Sequence, residues 1–112
     1  MKMIIAYIKP FKLDPVRKAL IQAGVDGLTI TEVRGHGRQL GKMEIYRGQE
    51  YEVPLIPKIR LEAVIPDDVV GAVLTAIEEE AATGKIGDGK IFVVDVSQAL
   101  RIRTGETGVA AL

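Results

Sequence analysis

The chain has no cysteine, which excludes disulfide staples and thiolate metal centres. It has one histidine, His36, so His-rich metal sites and two-histidine relays are excluded as well. Neither sign of charge is in excess. Fifteen basic and fifteen acidic residues cancel, leaving no global field to draw the protein to nucleic acid or anionic lipid. Any anion site must therefore be a local cluster. Long apolar runs are also missing: Met3 to Ile8 is stopped by Lys9-Pro10, too short for a signal-peptide core or a bilayer span. The expectation is a cytoplasmic protein with no direct membrane insertion and no nucleic-acid partner. No Ser/His/Asp relay and no paired-carboxylate site is legible, so an enzyme is not expected.

What is present suits a single domain of 112 residues, 47% hydrophobic and 27% charged. Met3 to Ile8 reads as a strand. Asp14-Pro15 reads as an N-cap with proline at the first helical position, and Val16, Ala19, Leu20 and Ala23 follow at helix-face spacing. Gly24 reads as a left-handed helix cap, and Leu28 to Arg34 as a second strand. Lys58 to Pro66 alternates as a third strand, Pro66-Asp67-Asp68 repeats the stop-and-cap signal, and Val69 to Ala81 carries a helical stripe. Ile91 to Val96 is the fourth strand, and the tail from Ala99 starts extended and then loosens.

Strand–helix–strand thus occurs twice. The pattern predicts an α+β, ferredoxin-like double βαβ sandwich: a four-stranded antiparallel sheet with two helices on one face. The first strand is apolar on both alternations and the fourth nearly so, which predicts a homo-oligomer packed through the uncovered sheet faces. Between strands two and three lies a long stretch, residues 35–57, in which no helical or strand period survives. Ordering it costs roughly 1–2 kcal/mol per residue in backbone entropy, so it reads as a mobile polar arm with a use.

Three segments can hold an anion. Gly84 to Lys90 satisfies G-x-x-x-x-G-K, but Ile91 replaces the hydroxyl residue of a P-loop, and the loop leaves a helix to enter a strand rather than the reverse. That excludes a P-loop and leaves two readings, a glycine-rich anion cradle or a plain helix-to-strand turn. Arg101 and Arg103, spaced by two in a segment read as extended, point to one side, either toward phosphate oxygens or as a solvated edge. Gly35-His36-Gly37-Arg38-Gln39 is a third, at the arm's root; His36 itself reads as bland. Brought together at a subunit edge, the three suggest a nucleotide site between subunits. Tyr46 and Tyr51, in the outer arm, are either accessible to a modifying enzyme or ordinary loop aromatics.

Over essentially all 112 residues the chain resembles the PII signal-transduction proteins of nitrogen metabolism. The segments that carry the likeness are KPFKLD (9–14), EVRGHGRQ (32–39), EIYRGQEY (44–51), TGKIGDGKIFV (83–93) and RIRTGE (101–106). The resemblance implies a homotrimer that binds ATP or ADP between subunits. Gly37, Arg38 and Gln39 would contribute with Gly87, Asp88, Gly89 and Lys90, Arg101 and Arg103 would hold phosphates, and Thr29 and Val64 would lie near adenine or ribose. It implies 2-oxoglutarate bound beside the nucleotide through Mg²⁺, with Gln39 (also toward the metal), Lys58 and Gly87 at the matching positions. Tyr51 matches a tyrosine modified by a nucleotidyltransferase, and the arm, the family's T-loop, would control an ammonium transporter or nitrogen-assimilation enzymes. The rival readings are a small nucleotide-hydrolysing enzyme and a similar trimer sensing a different small ligand. The chain departs from the family pattern at His36, often aromatic, at Lys42-Met43, at Pro54, and at Gln49, where serine phosphorylation is impossible.

Overall fold

The computed structural model describes residues 1–37 and 55–112 in full, and the backbone of 44–46 and 49–51. The main sheet is built from β1 (Lys2–Ile8), β2 (Thr29–Gly35), β5 (Ile56–Ile65) and β6 (Lys90–Asp95). Their order is β2-β5-β1-β6, every neighbouring pair antiparallel. β1 and β2 are therefore parallel with β5 between them, and β5 and β6 are parallel with β1 between them. Helix α1 (Leu13–Gln22) joins the first pair and α2 (Val70–Ala81) the second. This is the expected double split βαβ.

Strand alternation decides which residues meet the helices. Ile4, Ala6 and Ile8 of β1, with Ile59, Leu61, Ala63 and Ile65 of β5, form the buried floor. Val16 and Leu20 of α1 and Val73, Ile77 and Ala81 of α2 close over it, at the helical spacing read from the sequence. The core contains no buried polar or charged side chain among the described residues. Burying each such aliphatic side chain contributes about 1.5–3 kcal/mol, so this stripe-on-floor packing carries the fold.

The opposite sheet face stays uncovered. Tyr7 meets Phe92 edge-on at 6.4 Å between ring centroids, and the Arg60 guanidinium lies 5.8 Å from the Tyr7 ring. Phe92 is 50% and Val94 42% exposed, a contiguous apolar surface of the kind that marks an association site. Among the described residues no helix is long and apolar enough to cross a membrane.

Four local expectations need correction. Asp14 does not cap α1: a 3₁₀ turn at Pro10–Lys12 runs straight into the helix, Lys12 stands at the cap, and Asp14 lies in the first turn. Likewise a 3₁₀ turn at Asp67–Val69 precedes α2, and the Asp67 carboxylate takes the Met1 amino group at 2.9 Å instead. Proline at the head of each 3₁₀ segment sets φ for a tight turn, and that local geometry displaces the side-chain cap. The arm is not without strands, since β3 (Glu44–Tyr46) and β4 (Gln49–Tyr51) pair as a short antiparallel ribbon. Finally, Arg101 and Arg103 are not in an extended segment, and the tail does not loosen. Residues 102–104 form a turn closed by Arg101 N–H to the Glu106 carbonyl at 2.9 Å and Gly105 N–H to the Arg101 carbonyl at 2.8 Å. Gly24 has φ +94, as a left-handed helix cap requires.

One glycine is dictated by space. Gly89 has φ +104, and a Cβ there would stand 1.7 Å from the Tyr7 carbonyl oxygen. Gly89→Ala should therefore destabilise the fold by at least about 2 kcal/mol, combining overpacking with backbone strain. Denaturant unfolding checks this; a midpoint equal to wild type would show that the turn can move off β1.

Candidate functional site

The arm's two roots and the Gly-rich turn converge on one cleft of about 710 Å3. Gly35, His36 and Gly37 reach it from the end of β2, and Lys58 from β5, where it stands opposite Val33. Lys85, Gly87, Asp88, Gly89 and Lys90 supply the other wall, and Tyr7 and Phe92 the floor. Strand pairing causes the convergence. Gly35 opposite Ile56 brings the arm's roots together, and Tyr7 opposite Lys90 sets the turn beside β1.

The cleft is cationic. Lys58, Lys85 and Lys90 line it, and its only carboxylate among the described residues, Asp88, is engaged elsewhere. Asp88 Oδ2 accepts from the Thr83 N–H at 2.8 Å and the Gly84 N–H at 2.9 Å. Its Oδ1 takes the Thr83 hydroxyl and lies 3.0 Å from the Lys9 ammonium. The Thr83 hydroxyl and amide, and then Lys9, hold the Asp88 carboxyl well below the usual carboxylate range. Lys58 donates to the Gly87 carbonyl at 2.5 Å, tying the arm's far root to the same turn. With φ of +96 at Gly87 and +104 at Gly89, the turn is bare backbone, open to close approach by an anion.

Of the site residues expected from the sequence, Gly37, Lys58, Gly87, Asp88, Gly89 and Lys90 share this cleft. Thr29 and Val64 do not line it. They sit on the uncovered sheet face, at register positions opposite Glu62 and Met3. Arg101 and Arg103 do not line it either. Arg101 donates to the Leu112 carbonyl at 2.8 Å and to Glu106 at 3.4 Å, while Arg103 is exposed on the tail turn. Arg38, Gln39 and the departures at Lys42-Met43 and Pro54 lie outside the described residues, as do the side chains of Gln49 and Tyr51.

A family model described as nitrogen regulatory protein P-II matches residues 1–106. The chain is 57% identical over 112 residues to nitrogen regulatory protein P-II 1 of Escherichia coli (strain K12), with all of both chains covered. It is 59% identical to nitrogen regulatory protein P-II of Haemophilus influenzae and 56% to that of Klebsiella oxytoca, again over both full lengths. The chain belongs to the nitrogen regulatory protein P-II family. Its role is thus regulatory signalling in nitrogen metabolism, and P-II proteins are regulators rather than enzymes.

Sequence reasoning passed over several residues that line this P-II cleft or stand behind its wall. Lys9 reads only as the stop of a strand, and Thr83 as a helix breaker; their meeting at Asp88 needs the turn and β1 side by side. Lys85 was legible as a cation inside the Gly-rich motif. Tyr7 and Phe92 carried the right signal, aromatic residues on the outward alternation of two neighbouring strands.

Because the Asp88 carboxyl is held low, its contribution to the turn is fully present above the ordinary carboxylate value, about 3.9, and is lost only as pH falls through the depressed value. Exchange protection of the Thr83 and Gly84 amides should therefore persist at pH 4. In Asp88→Asn both amides should exchange roughly tenfold faster or more, having lost charge-assisted acceptors. Equal protection in the two proteins would remove Asp88 from this role.

Proposed function

We propose that the chain is a trimeric sensor of adenine nucleotide and 2-oxoglutarate that signals through its long arm. The observation that supports this most is the cationic cleft shared by both roots of the arm and the Gly-rich turn. Lys58, Lys85 and Lys90 beside positive-φ glycines suit the oxygens of a di- or triphosphate. Gly37, Gly87, Asp88 (through its backbone, its carboxylate being engaged in the turn), Gly89 and Lys90, with Arg38 and Gln39, are assigned to the nucleotide on one side of the site. Thr29, Val64, Arg101 and Arg103 are assigned to the same nucleotide from a neighbouring subunit. Their position outside the cleft of their own chain fits that division, and the uncovered apolar sheet face is where subunits would meet.

Gln39, Lys58 and Gly87 are assigned to 2-oxoglutarate, with Lys58 as the counter-charge for a carboxylate. The described residues include no group of three His, Cys, Asp or Glu side chains able to hold a metal, and the oxygens of Asp88 are already occupied. With no such group among the described residues, a Mg²⁺ ion brought in with the nucleotide and the oxo-acid would have Gln39 as its protein donor. Bound there, it would join the charges of the two ligands.

Output follows from position. A ligand that contacts Gly37 and Lys58 contacts both ends of the arm, so ligands with different contacts favour different arm conformations. The arm would then dock on, or release, an ammonium transporter or nitrogen-assimilation enzymes. Nucleotidyl transfer to Tyr51 would add bulk and negative charge to that surface.

Titration calorimetry tests the sensor. ATP with Mg²⁺ should bind at one site per chain in a particle of three chains, and 2-oxoglutarate should tighten it. ATP affinity indifferent to 2-oxoglutarate would leave a trimer that reads some other ligand, and no ATP binding would end the nucleotide reading. For the arm, Tyr51→Phe should bind ATP as wild type does yet take no label from a uridylyltransferase; labelling that survives would move the site to another residue.

A further inference from the structure

We infer that Lys9 is a positioning residue for the anion in this cleft: it shapes the Gly-rich turn and cancels the charge of Asp88 without itself lining the cleft. The inference rests on the nucleotide reading above and concerns how affinity is set. Lys9 directly follows Ile8, the last residue of β1, and precedes Pro10, which begins a 3₁₀ turn, so its backbone is pinned on both sides. Its side chain is only 17% exposed, and burying an ammonium is costly unless it is paired. The partners are the Thr83 hydroxyl and Asp88 Oδ1, both at 3.0 Å.

Closing the turn does not by itself demand this cation. The Thr83 and Gly84 amides already hold Asp88 Oδ2, and the Thr83 hydroxyl holds Oδ1. The cation adds two things. It ties the turn to β1, the rigid centre of the sheet, and it neutralises a carboxylate set between Gly87 and Gly89, the backbone an anion would approach. Left unpaired, that carboxylate would oppose a polyphosphate at close range. At the effective dielectric of a protein surface the penalty is on the order of tenfold to a hundredfold in affinity. With Lys9 in place, Lys58, Lys85 and Lys90 act on the ligand without opposition.

Calorimetry of ATP with Lys9→Met, which keeps the apolar stem and removes the charge, should show the dissociation constant raised by roughly tenfold to a hundredfold. Lys9→Arg should restore most of the affinity. The double variant Lys9→Met/Asp88→Asn separates charge cancellation from general stability: removing the stranded carboxylate should recover part of the loss, whereas a purely structural clamp predicts losses that add. Wild-type affinity in a folded Lys9→Met overturns the inference, and so does a double variant no better than Lys9→Met. If Lys9→Met fails to fold, Lys9→Arg and the double variant decide on the same criteria. Failure of the wild type to bind ATP would overturn the nucleotide reading instead. Inorganic tripolyphosphate would then read the cleft, and a Lys9→Met affinity for it equal to wild type would overturn the role of Lys9.

Discussion

The pairing of β1 with β5, Lys2 opposite Ile65 through to Ile8 opposite Ile59, is the interaction on which the rest depends. The two strands lie in the middle of the sheet, and their inward alternation supplies seven of the buried side chains: Ile4, Ala6, Ile8, Ile59, Leu61, Ala63 and Ile65. Both helices bury their stripes against that floor, and both outer strands borrow their register from it. The site hangs from the same pair. Lys9 continues β1 and Lys58 lies within β5, so the two cations that hold the Gly-rich turn come from the central strand pair.

Rigidity on one wall of the cleft and an arm on the other is a sound division for a P-II regulator. The turn is fixed by the steric limit at Gly89, by the Asp88 network and by Lys58. A ligand bridging the walls, as proposed, would spend little on ordering the turn, leaving its binding energy to act on the arm's roots. The same geometry would let a protein with no net charge attract an anion: its cations are gathered by topology, and its nearest carboxylate is paired inside the wall.

The repeated strand–helix–strand order was legible because burial periodicity is local. Val16 and Leu20, or Val73 and Ile77, announce their face within a single helix, and Ile59, Leu61 and Ala63 announce theirs within a single strand. The helix starts misled, since Asp14 and Asp67 have the chemistry of caps, yet prolines just upstream impose 3₁₀ turns that move the start. The tail misled for a similar reason. Alternating Arg101 and Arg103 imitate a strand, but Gly105, at φ +73, lets the chain fold back on itself. Within the site, the glycines and Lys90 stood out as a motif, while Lys9 carried no sign of its role.

The sequence by itself determined the fold class and the candidate anion-binding segments, because alternation, helical spacing and glycine-rich turns are encoded over a few residues; the family came from the likeness of its motifs. Tertiary structure alone decided which of those segments meet. Gly37, Lys58 and Lys90 are brought to one cleft by strands paired across the sheet, and Arg101 and Arg103 are kept out of it by a tail that closes on itself. It also decided that Asp88 belongs to the wall. A carboxylate's role depends on which donors surround it, and here Lys9 and Thr83 lie 74 residues apart in the chain, joined only by the fold.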